Sequence, residues 1–198
     1  MLSLAAYGRN DSIYMGTQIK LDIASPIVTP AIHKWQMQHY EVAANVRLAK
    51  RYYPTLELGY SGGSTKDKTA TYHGHGGFFR IGCDINPLKK HPESPHALLV
   101  GVRLGTAVQG ADGGTFVTKG KASTVEFWNE TTADCWGEIV AGCQVEIAKV
   151  NETSFYMGWM GRFKCLFTRS EKKTIYIPGF GKRDTTGWGL NYYLGWRF

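Results

Sequence analysis

Charged side chains placed at every second position are the residues of this sequence with the clearest potential for chemistry. In the stretch GFFRIGCDI, Arg80 and Asp84 alternate with apolar residues, and the same spacing recurs in several other stretches. Arginine and lysine form charge-assisted hydrogen bonds with carboxylates when an element brings both signs to one face. We predict such a network from Lys20, Asp22, Glu41, Arg47, Glu57, Arg80, Asp84, Arg103, Glu138, Glu146, Arg162, Lys164 and Arg197.

Two histidines offer a second kind of chemistry. His73 and His75 lie two residues apart in YHGHG, and they would bind a metal ion only if a third ligand came near. With Asp67 and nearby hydroxyls they would also supply acid–base groups to a hydrolase. The chain has no GxSxG motif for a nucleophile, so we expect solvated histidines, no catalytic residue and no cofactor.

The four cysteines are Cys83, Cys135, Cys143 and Cys165. They show no CxxC spacing, and the alternation places Cys83, Cys143 and Cys165 among apolar residues, where cysteine behaves as a small hydrophobe. We therefore expect neither disulfides nor a metal site.

The elements that must position these residues are β-strands. Apolar and polar residues alternate with period two, and helical periodicity is scarce. The alternating stretches are SIYMGTQIKLDI, HYEVAANVRLAK, YYPTLELGY, GFFRIGCDI, ALLVGVRLG, CWGEIVAGCQVEIA, FYMGWMGRFKCLF and GWGLNYYLGWRF. Eight such strands, joined by links that alternate in length, predict an all-β, eight-stranded antiparallel up-and-down barrel over residues 12–198.

The alternation fits two barrels of opposite polarity. A soluble lipocalin-like barrel has its apolar face inside, whereas a transmembrane barrel has it outside. The apolar face is rich in aromatic residues near the strand ends, and the other face carries glycines and charges of both signs. Both features favour a transmembrane barrel, with an aromatic girdle that includes Trp188, Trp196 and Phe198 and a lumen filled by paired charges.

Composition excludes several other classes. No apolar run approaches the ~20 residues of a transmembrane helix. The formal net charge of +7 comes without any nucleic-acid-binding motif, so we expect no nucleic-acid partner. Residues 1–11 begin MLSLAAYG, which we interpret as the remnant of a signal peptide or an ordinary ragged terminus.

The predicted loops contain two apolar segments. Pro178 and Gly179 specify a turn within YIPGF, Tyr176 to Phe180, and apolar bulk around a turn needs a cover. We predict that Tyr176, Ile177, Pro178, Gly179 and Phe180 plug the mouth of the barrel or bind a partner, and that Phe127 and Trp128 of the longest loop do the same. Basic loop residues would meet lipopolysaccharide phosphates: Lys66, Lys68, Lys119, Lys121, Lys172, Lys173, Lys182 and Arg183.

The chain resembles small outer-membrane β-barrel proteins of Bacteroidota-type bacteria, and within them a family labelled only as a domain of unknown function. The resemblance spans about residues 12–198 and rests on the order of YMGTQIKLDIASPI, ELGY, RIGCDIN, GVRLG, WGEIVAGCQVEI, YIPGFG and GLNYYLGWRF. It implies an outer-membrane location and a terminal Phe198 read by the barrel-insertion machinery. It supplies no catalytic residues.

These observations predict a structural or interaction role, as an accessory subunit of a larger outer-membrane assembly or as a membrane-anchored loop display. The alternatives are a lipid-modifying enzyme or hydrolase of the outer membrane, a soluble lipocalin-like ligand-binding barrel, and a narrow pore.

Overall fold

The computed structural model describes residues 14–25, 36–49, 51–66, 70–88, 94, 96–119, 122–168 and 174–198. The strands are β1 (Tyr14–Asp22), β2 (Gln36–Leu48), β3 (Tyr52–Lys66), β4 (Ala70–Ile85), β5 (Ala97–Lys119), β6 (Ala122–Val150), β7 (Thr153–Leu166), β8 (Tyr176–Ile177), β9 (Gly181–Lys182) and β10 (Thr186–Arg197). Residues 1–11, predicted as a separate segment, lie outside the described residues.

Eight of these strands close into a barrel in the order β1-β10-β7-β6-β5-β4-β3-β2, and every pairing is antiparallel. The remaining two, β8 and β9, form a small hairpin in the link between β7 and β10. The predicted eight-stranded antiparallel barrel is therefore confirmed. Among the described residues, no helix is long and apolar enough to cross a bilayer.

The alternation in the sequence becomes an alternation of faces. In β4, burial alternates residue by residue from Tyr72 to Arg80, because successive side chains of a strand point to opposite faces. A one-residue slip of a strand would exchange its polar and apolar faces. The difference in polarity between the two faces therefore helps to fix the register of each strand pair. The two ends of the barrel differ: tight turns at Ala49 and Asn151, both with positive φ, lie at the end where β10 finishes.

Two links are shorter than the sequence predicts. The stretches 61–76 and 108–134 were predicted as long loops, and this prediction was wrong. The register continues to Lys66↔Thr71 between β3 and β4, and to Lys119↔Ala122 between β5 and β6. We call the paired part of β5 and β6 from residue 108 to residue 134 the ribbon.

The barrel closes between β1 and β10. Gln18 pairs with Arg197 and Asp22 with Tyr193, and Thr17 and Phe198 exchange backbone hydrogen bonds of 3.0 and 3.1 Å. A register shift in β1 at Gly16, whose φ is +113°, bends the strand at this point. Phe198 is therefore part of the seam that closes the sheet.

Candidate functional site

The outer face of the barrel is apolar and exposed. Large apolar side chains on it are exposed on every strand of the barrel, among them Leu21, Val42, Leu58, Ile81, Val102, Ile139, Trp159 and Leu190. This polarity is the reverse of that expected for a lipocalin-like barrel. The aromatic residues of the predicted girdle lie on this outer face, with Trp188 and Phe198 exposed and Trp196 half-buried.

The inner face holds the charges. The buried ionic side chains of the described chain comprise six basic residues, Lys20, Arg47, Arg80, Arg103, Arg162 and Lys164, and six acidic ones, Asp22, Glu41, Glu57, Asp84, Asp134 and Glu138. Unpaired charges of one sign inside a narrow barrel would carry a large desolvation cost. This near balance of the two signs leaves the lumen close to neutral.

The centre of the lumen is a belt of two arginines and three glutamates. Arg80 contacts Glu41 and Glu57 at 2.9 Å each and Glu138 at 3.0 Å. Arg162 contacts the same three carboxylates at 3.1, 2.9 and 2.9 Å. These five side chains come from β2, β3, β4, β6 and β7, so the belt ties together strands on all sides of the barrel.

Further polar contacts extend the belt toward β1, β5 and β10. Arg103 bonds Glu57 at 3.0 Å and holds Asp84 with two bonds of 2.7 and 2.8 Å. Asn191 donates to Asp22 at 2.6 Å and accepts from Arg162 at 2.6 Å. The hydroxyl of Tyr193 donates to Glu41 at 2.7 Å and also bonds Arg162.

The lower end of the lumen, toward the tight turns, is less densely paired. Arg197 and Glu146 approach to 4.0 Å, and both are partly exposed. Arg47 is buried there, and its guanidinium lies 6.0 Å from the ring of Tyr53. All the charged residues predicted for the lumen lie on the inner face, but Glu146 and Arg197 sit at its rim rather than in the belt.

The β8–β9 hairpin lies in the opposite mouth of the barrel. Phe180 N–H donates to Ile177 C=O at 3.1 Å, and Gly179 has a φ of +74°, as a turn with proline second and glycine third requires. The four residues Ile177, Pro178, Gly179 and Phe180 are buried. The structure places this turn at the mouth of the barrel, which is where a plug was expected from the sequence.

The hairpin is bonded to the belt beneath it. Arg80 and Lys164 both donate to the carbonyl of Gly179, at 2.7 and 2.6 Å, and Lys164 also donates to Phe180 C=O at 3.1 Å. Ile177 and Phe180 pack in one apolar cluster with Phe78, Ala107 and Trp136. Hydrogen bonds from charged side chains and apolar packing therefore both hold the turn in the mouth of the barrel.

Two contacts fix the upper part of the hairpin to the barrel wall. Arg183 holds Asp134 of β6 with bonds of 3.1 and 2.6 Å. The Tyr176 phenol, whose pKa is raised by burial, lies beside Ser61 of β3. Arg183 was predicted to meet lipid phosphates, and its charge is instead used inside the protein.

Sequence reasoning missed a small polar array on the inner face. Ser61 Oγ lies 2.7 Å from His39 Nδ1, and His39 Nε2 lies 3.4 Å from Glu41 Oε2. The alternation could have found it, since His39 and Glu41 share one face of β2 and Ser61 shares a face of β3 with Glu57. Asp22, His39 and Glu41 also offer ligand atoms within 4.8 Å of one another. Arg80 and Arg162 already neutralise Glu41, which opposes a cation there.

The ribbon carries the other predicted contact residues. Phe127 is 84% exposed and points into solvent, so it does not plug the barrel. Trp128 is half-buried, with its ring 5.9 Å from that of Tyr72 on β4. Both residues are on strand β6 and not in a loop, which corrects their predicted setting.

The remaining candidates lie apart from the belt. His73 and His75 are exposed on β4, with ring centroids 6.2 Å apart. The four cysteines are free thiols, and Cys135 is exposed. Lys66 and Lys182 are exposed, whereas Lys68, Lys121, Lys172, Lys173 and Asp67 lie outside the described residues, and the side chain of Lys119 is not described.

Comparison with known proteins places the chain in a family. The family described as a domain of unknown function, DUF6048, matches residues 5–197. The chain belongs to this family. The crystal structure of the N-terminal β-barrel domain of Pseudomonas aeruginosa OprF is similar to it at 11% identity and a TM-score of 0.36, over 92% of this chain and 97% of that one. Among curated proteins, none matches the sequence. DUF6048 membership thus agrees with the predicted resemblance to a family of unknown function.

Proposed function

We propose that this protein is an outer-membrane β-barrel with a filled lumen, which acts as an accessory subunit of a larger outer-membrane assembly. The observation that carries the proposal is the reversed polarity of the barrel. Exposed apolar side chains surround it, while its charges are paired inside. An apolar surface of this extent is stable in hydrocarbon and not in water.

A transport pore is disfavoured by the contents of the lumen. The belt of Arg80, Arg162, Glu41, Glu57 and Glu138 crosses the barrel, and the hairpin covers it. Eight strands leave an interior only wide enough for side chains to fill. Passage of ions would require breaking several buried ion pairs at once.

An interaction role is supported by the ribbon. β5 and β6 contain 23 and 29 residues, roughly two to three times the ~9–11 residues that a membrane strand needs. The ribbon therefore extends beyond the apolar part of the barrel and presents Phe127 at 84% exposure. Aromatic residues, phenylalanine included, are enriched in protein interfaces relative to the rest of the surface. The expected partners are a larger outer-membrane protein, lipopolysaccharide and the barrel-insertion machinery.

Co-purification from native outer membranes tests the proposal. The tagged protein would be extracted in mild detergent, and we expect stoichiometric recovery of a larger outer-membrane protein. Phe127→Ser should lose that protein, while Val150→Ser, an exposed site at the opposite end near the β6–β7 turn, should keep it. Recovery of the barrel alone would contradict the subunit role. Recovery in the aqueous fraction without detergent would contradict membrane embedding.

A hydrolase is the second candidate, because Ser61, His39 and Glu41 form a hydroxyl–imidazole–carboxylate array. Ser61 is only 1% exposed and Glu41 is held by two arginines, so a substrate would need the hairpin to move. Lipid A and phospholipid profiles of cells carrying Ser61→Ala would decide the matter. Profiles identical to wild type would exclude this activity.

A further inference from the structure

A cleft lies beside the hairpin at the upper part of β10. Its volume is about 730 Å³, within the range of small-molecule sites in proteins. One side is the hairpin from Tyr176 to Lys182, and the other is β10 from Thr186 to Asn191. Arg80, Lys164 and His39 lie at its inner end.

Among the described residues, the barrel wall is incomplete next to this cleft. The last bond between β1 and β10 joins Ile23 N–H to Tyr192 C=O, and above it no described residue pairs with that edge of β10. Alternate residues of a strand point their backbone groups to the same side. Leu190 and Trp188 therefore direct their N–H and C=O groups, like Tyr192, toward the open edge. On the far side, β2 continues to Gln36 beyond its last described pair with β1 at Val42.

Glycines on the inner face of β10 leave room for the cleft. Gly187 and Gly189 occupy the positions that alternate with Trp188 and Leu190. A Cβ at Gly187 would lie 3.6 Å from the ring of Phe180, and one at Gly189 would lie 3.2 Å from Lys164 Cε and Nζ. Any larger side chain at either position would extend into the space between β10 and the hairpin.

The charged lining of the cleft favours an anion. Arg80, Lys164 and Lys182 line it, together with His39 and one described carboxylate, Asp184. The belt neutralises Arg80, but Lys164 is buried and uses two of its three N–H groups on the hairpin carbonyls. No other described residue accepts a bond from Lys164, so within the described part of the chain its third donor is available to an oxygen of a bound ligand.

The outer mouth of the cleft is apolar. Trp188 and Leu190 are 80% and 69% exposed on the outer face of β10, and the ring of Trp188 lies 4.8 Å from that of Phe163. Tryptophan is enriched where hydrocarbon meets the headgroups of a bilayer. A ligand with its head at Lys164 would therefore reach apolar surface, and the acyl chains of the bilayer, across the open edge.

We propose that this cleft binds one anionic amphiphile from the surrounding membrane, with a phosphate or carboxylate head near Lys164 and Lys182 and an acyl chain that leaves over Leu190 and Trp188. The inference rests on the membrane embedding proposed above. It adds to the barrel a lateral lipid site between the hairpin and β10.

Native mass spectrometry of the full chain in dodecyl maltoside tests the proposal, with dodecyl phosphate as the probe. Dodecyl phosphate and the detergent share one tail length and differ in the charge of the head. We expect saturable binding of one dodecyl phosphate to each barrel. Inorganic phosphate at the same concentration should not displace it, because the tail contributes to binding.

Three variants locate the bound molecule. Gly187→Leu narrows the cleft beside Phe180 and should weaken binding roughly tenfold or more, since the added side chain would occupy the path of the ligand between the hairpin and β10. Gly161→Leu adds the same side chain at the outward position that pairs with Leu190, and should bind as wild type. Lys182→Gln should weaken binding by roughly threefold, as expected for one exposed charge.

Equal affinity of wild type and Gly187→Leu would overturn the proposal, as would binding that rises without saturation or full competition by inorganic phosphate. The folded state of each variant is checked by its heat-modifiable migration on gels. A folded, detergent-dependent barrel that fails to bind would refute the cleft site alone. A protein that stays dissolved without detergent would refute the embedding and the lipid site together.

Discussion

At the scale of single residues, Glu57 illustrates how the lumen is stabilised. Its carboxylate contacts three guanidinium groups, those of Arg80, Arg103 and Arg162, at 2.9 to 3.0 Å, and its side chain is fully buried. Removing its charge would leave a buried positive excess that no other group offsets. The belt therefore depends on each of its carboxylates.

We expect Glu57→Gln to destabilise the barrel by about 3–5 kcal/mol, because it breaks buried ion pairs while keeping the side-chain volume. The urea midpoint of the heat-modifiable folded form in micelles measures the effect. Glu146→Gln is the matched control. Its carboxylate lies 4.0 Å from Arg197 at the partly exposed lower rim, so it should cost about 1 kcal/mol or less. Equal effects of the two variants would contradict the belt as a source of stability.

Phe198 carries a second prediction at this scale. Its backbone pairs with Thr17, and its ring is exposed on the outer face. Phe198→Ala keeps the seam but removes the ring, so we expect slower assembly in cells with little change in the stability of assembled barrels. The folded fraction after pulse labelling measures assembly. Normal assembly of this variant would argue against a role of the ring in insertion.

The inward position of single charges could be predicted from the sequence, but their partners could not. The alternation of apolar and polar residues along each strand is enough to place Arg80 and Glu57 on the inner face. The contact of Arg162 on β7 with Glu41 on β2 crosses the lumen, and it depends on the tilt and register of the closed barrel. The pair Arg183 and Asp134 depends in addition on where the hairpin folds.

At the scale of elements, the hairpin and the belt are separate barriers in one lumen. The hairpin contributes carbonyl acceptors and apolar packing, whereas the belt is built from the barrel wall itself. Loss of the hairpin should expose the belt without opening a path through it.

Replacing residues 176–182 by a short Gly-Ser linker should therefore leave the protein without steady ion conductance in planar bilayers. The wild-type protein, which should also be silent, is the reference, and heat-modifiable migration shows that the variant is folded. Resolved single-channel steps in the deletion variant would identify the hairpin, and not the belt, as the barrier.

The main error of the sequence-based prediction was to assign loops to the ribbon and to the paired ends of β3 and β4. Stretches such as SGGSTKDKTATYHGHG and VQGADGGTFVTKGK are rich in glycine and polar residues, which are typical of loops. Their described residues form strands because they pair with the neighbouring strand, up to Lys66↔Thr71 and Lys119↔Ala122, and this tertiary pairing outweighs local propensity.

Engineered cysteines test the register of the ribbon. Asp112 and Asn129 pair directly and both are exposed, so Asp112→Cys with Asn129→Cys should form a disulfide readily once the native cysteines are replaced. Asp112→Cys with Glu130→Cys should form little, because a one-residue slip puts the second thiol on the opposite face. Similar yields from both pairs, read by gel mobility with and without reductant, would show that the ribbon is not a fixed ladder.

At the scale of the whole molecule, the polarity of the barrel was the feature best predicted from the sequence. A wholly apolar alternating face, together with charges of both signs on the other, distinguishes an inverted barrel from a lipocalin-like one. The lateral cleft could not be predicted in this way. It depends on β10 continuing past its last described pair with β1, and no local pattern in GWGLNYYLGWRF marks that point.

The equal numbers of buried acids and bases have an evolutionary consequence. Loss of any one of these charges leaves another without a counterpart, so such a loss is tolerated only together with a second one. Positions such as Glu138 and Arg162, which touch at 2.9 Å, should therefore drift as linked pairs, and related chains should exchange both for uncharged residues or neither. Substitutions inside this barrel should then be correlated among related chains, while the exposed outer face varies freely among apolar residues.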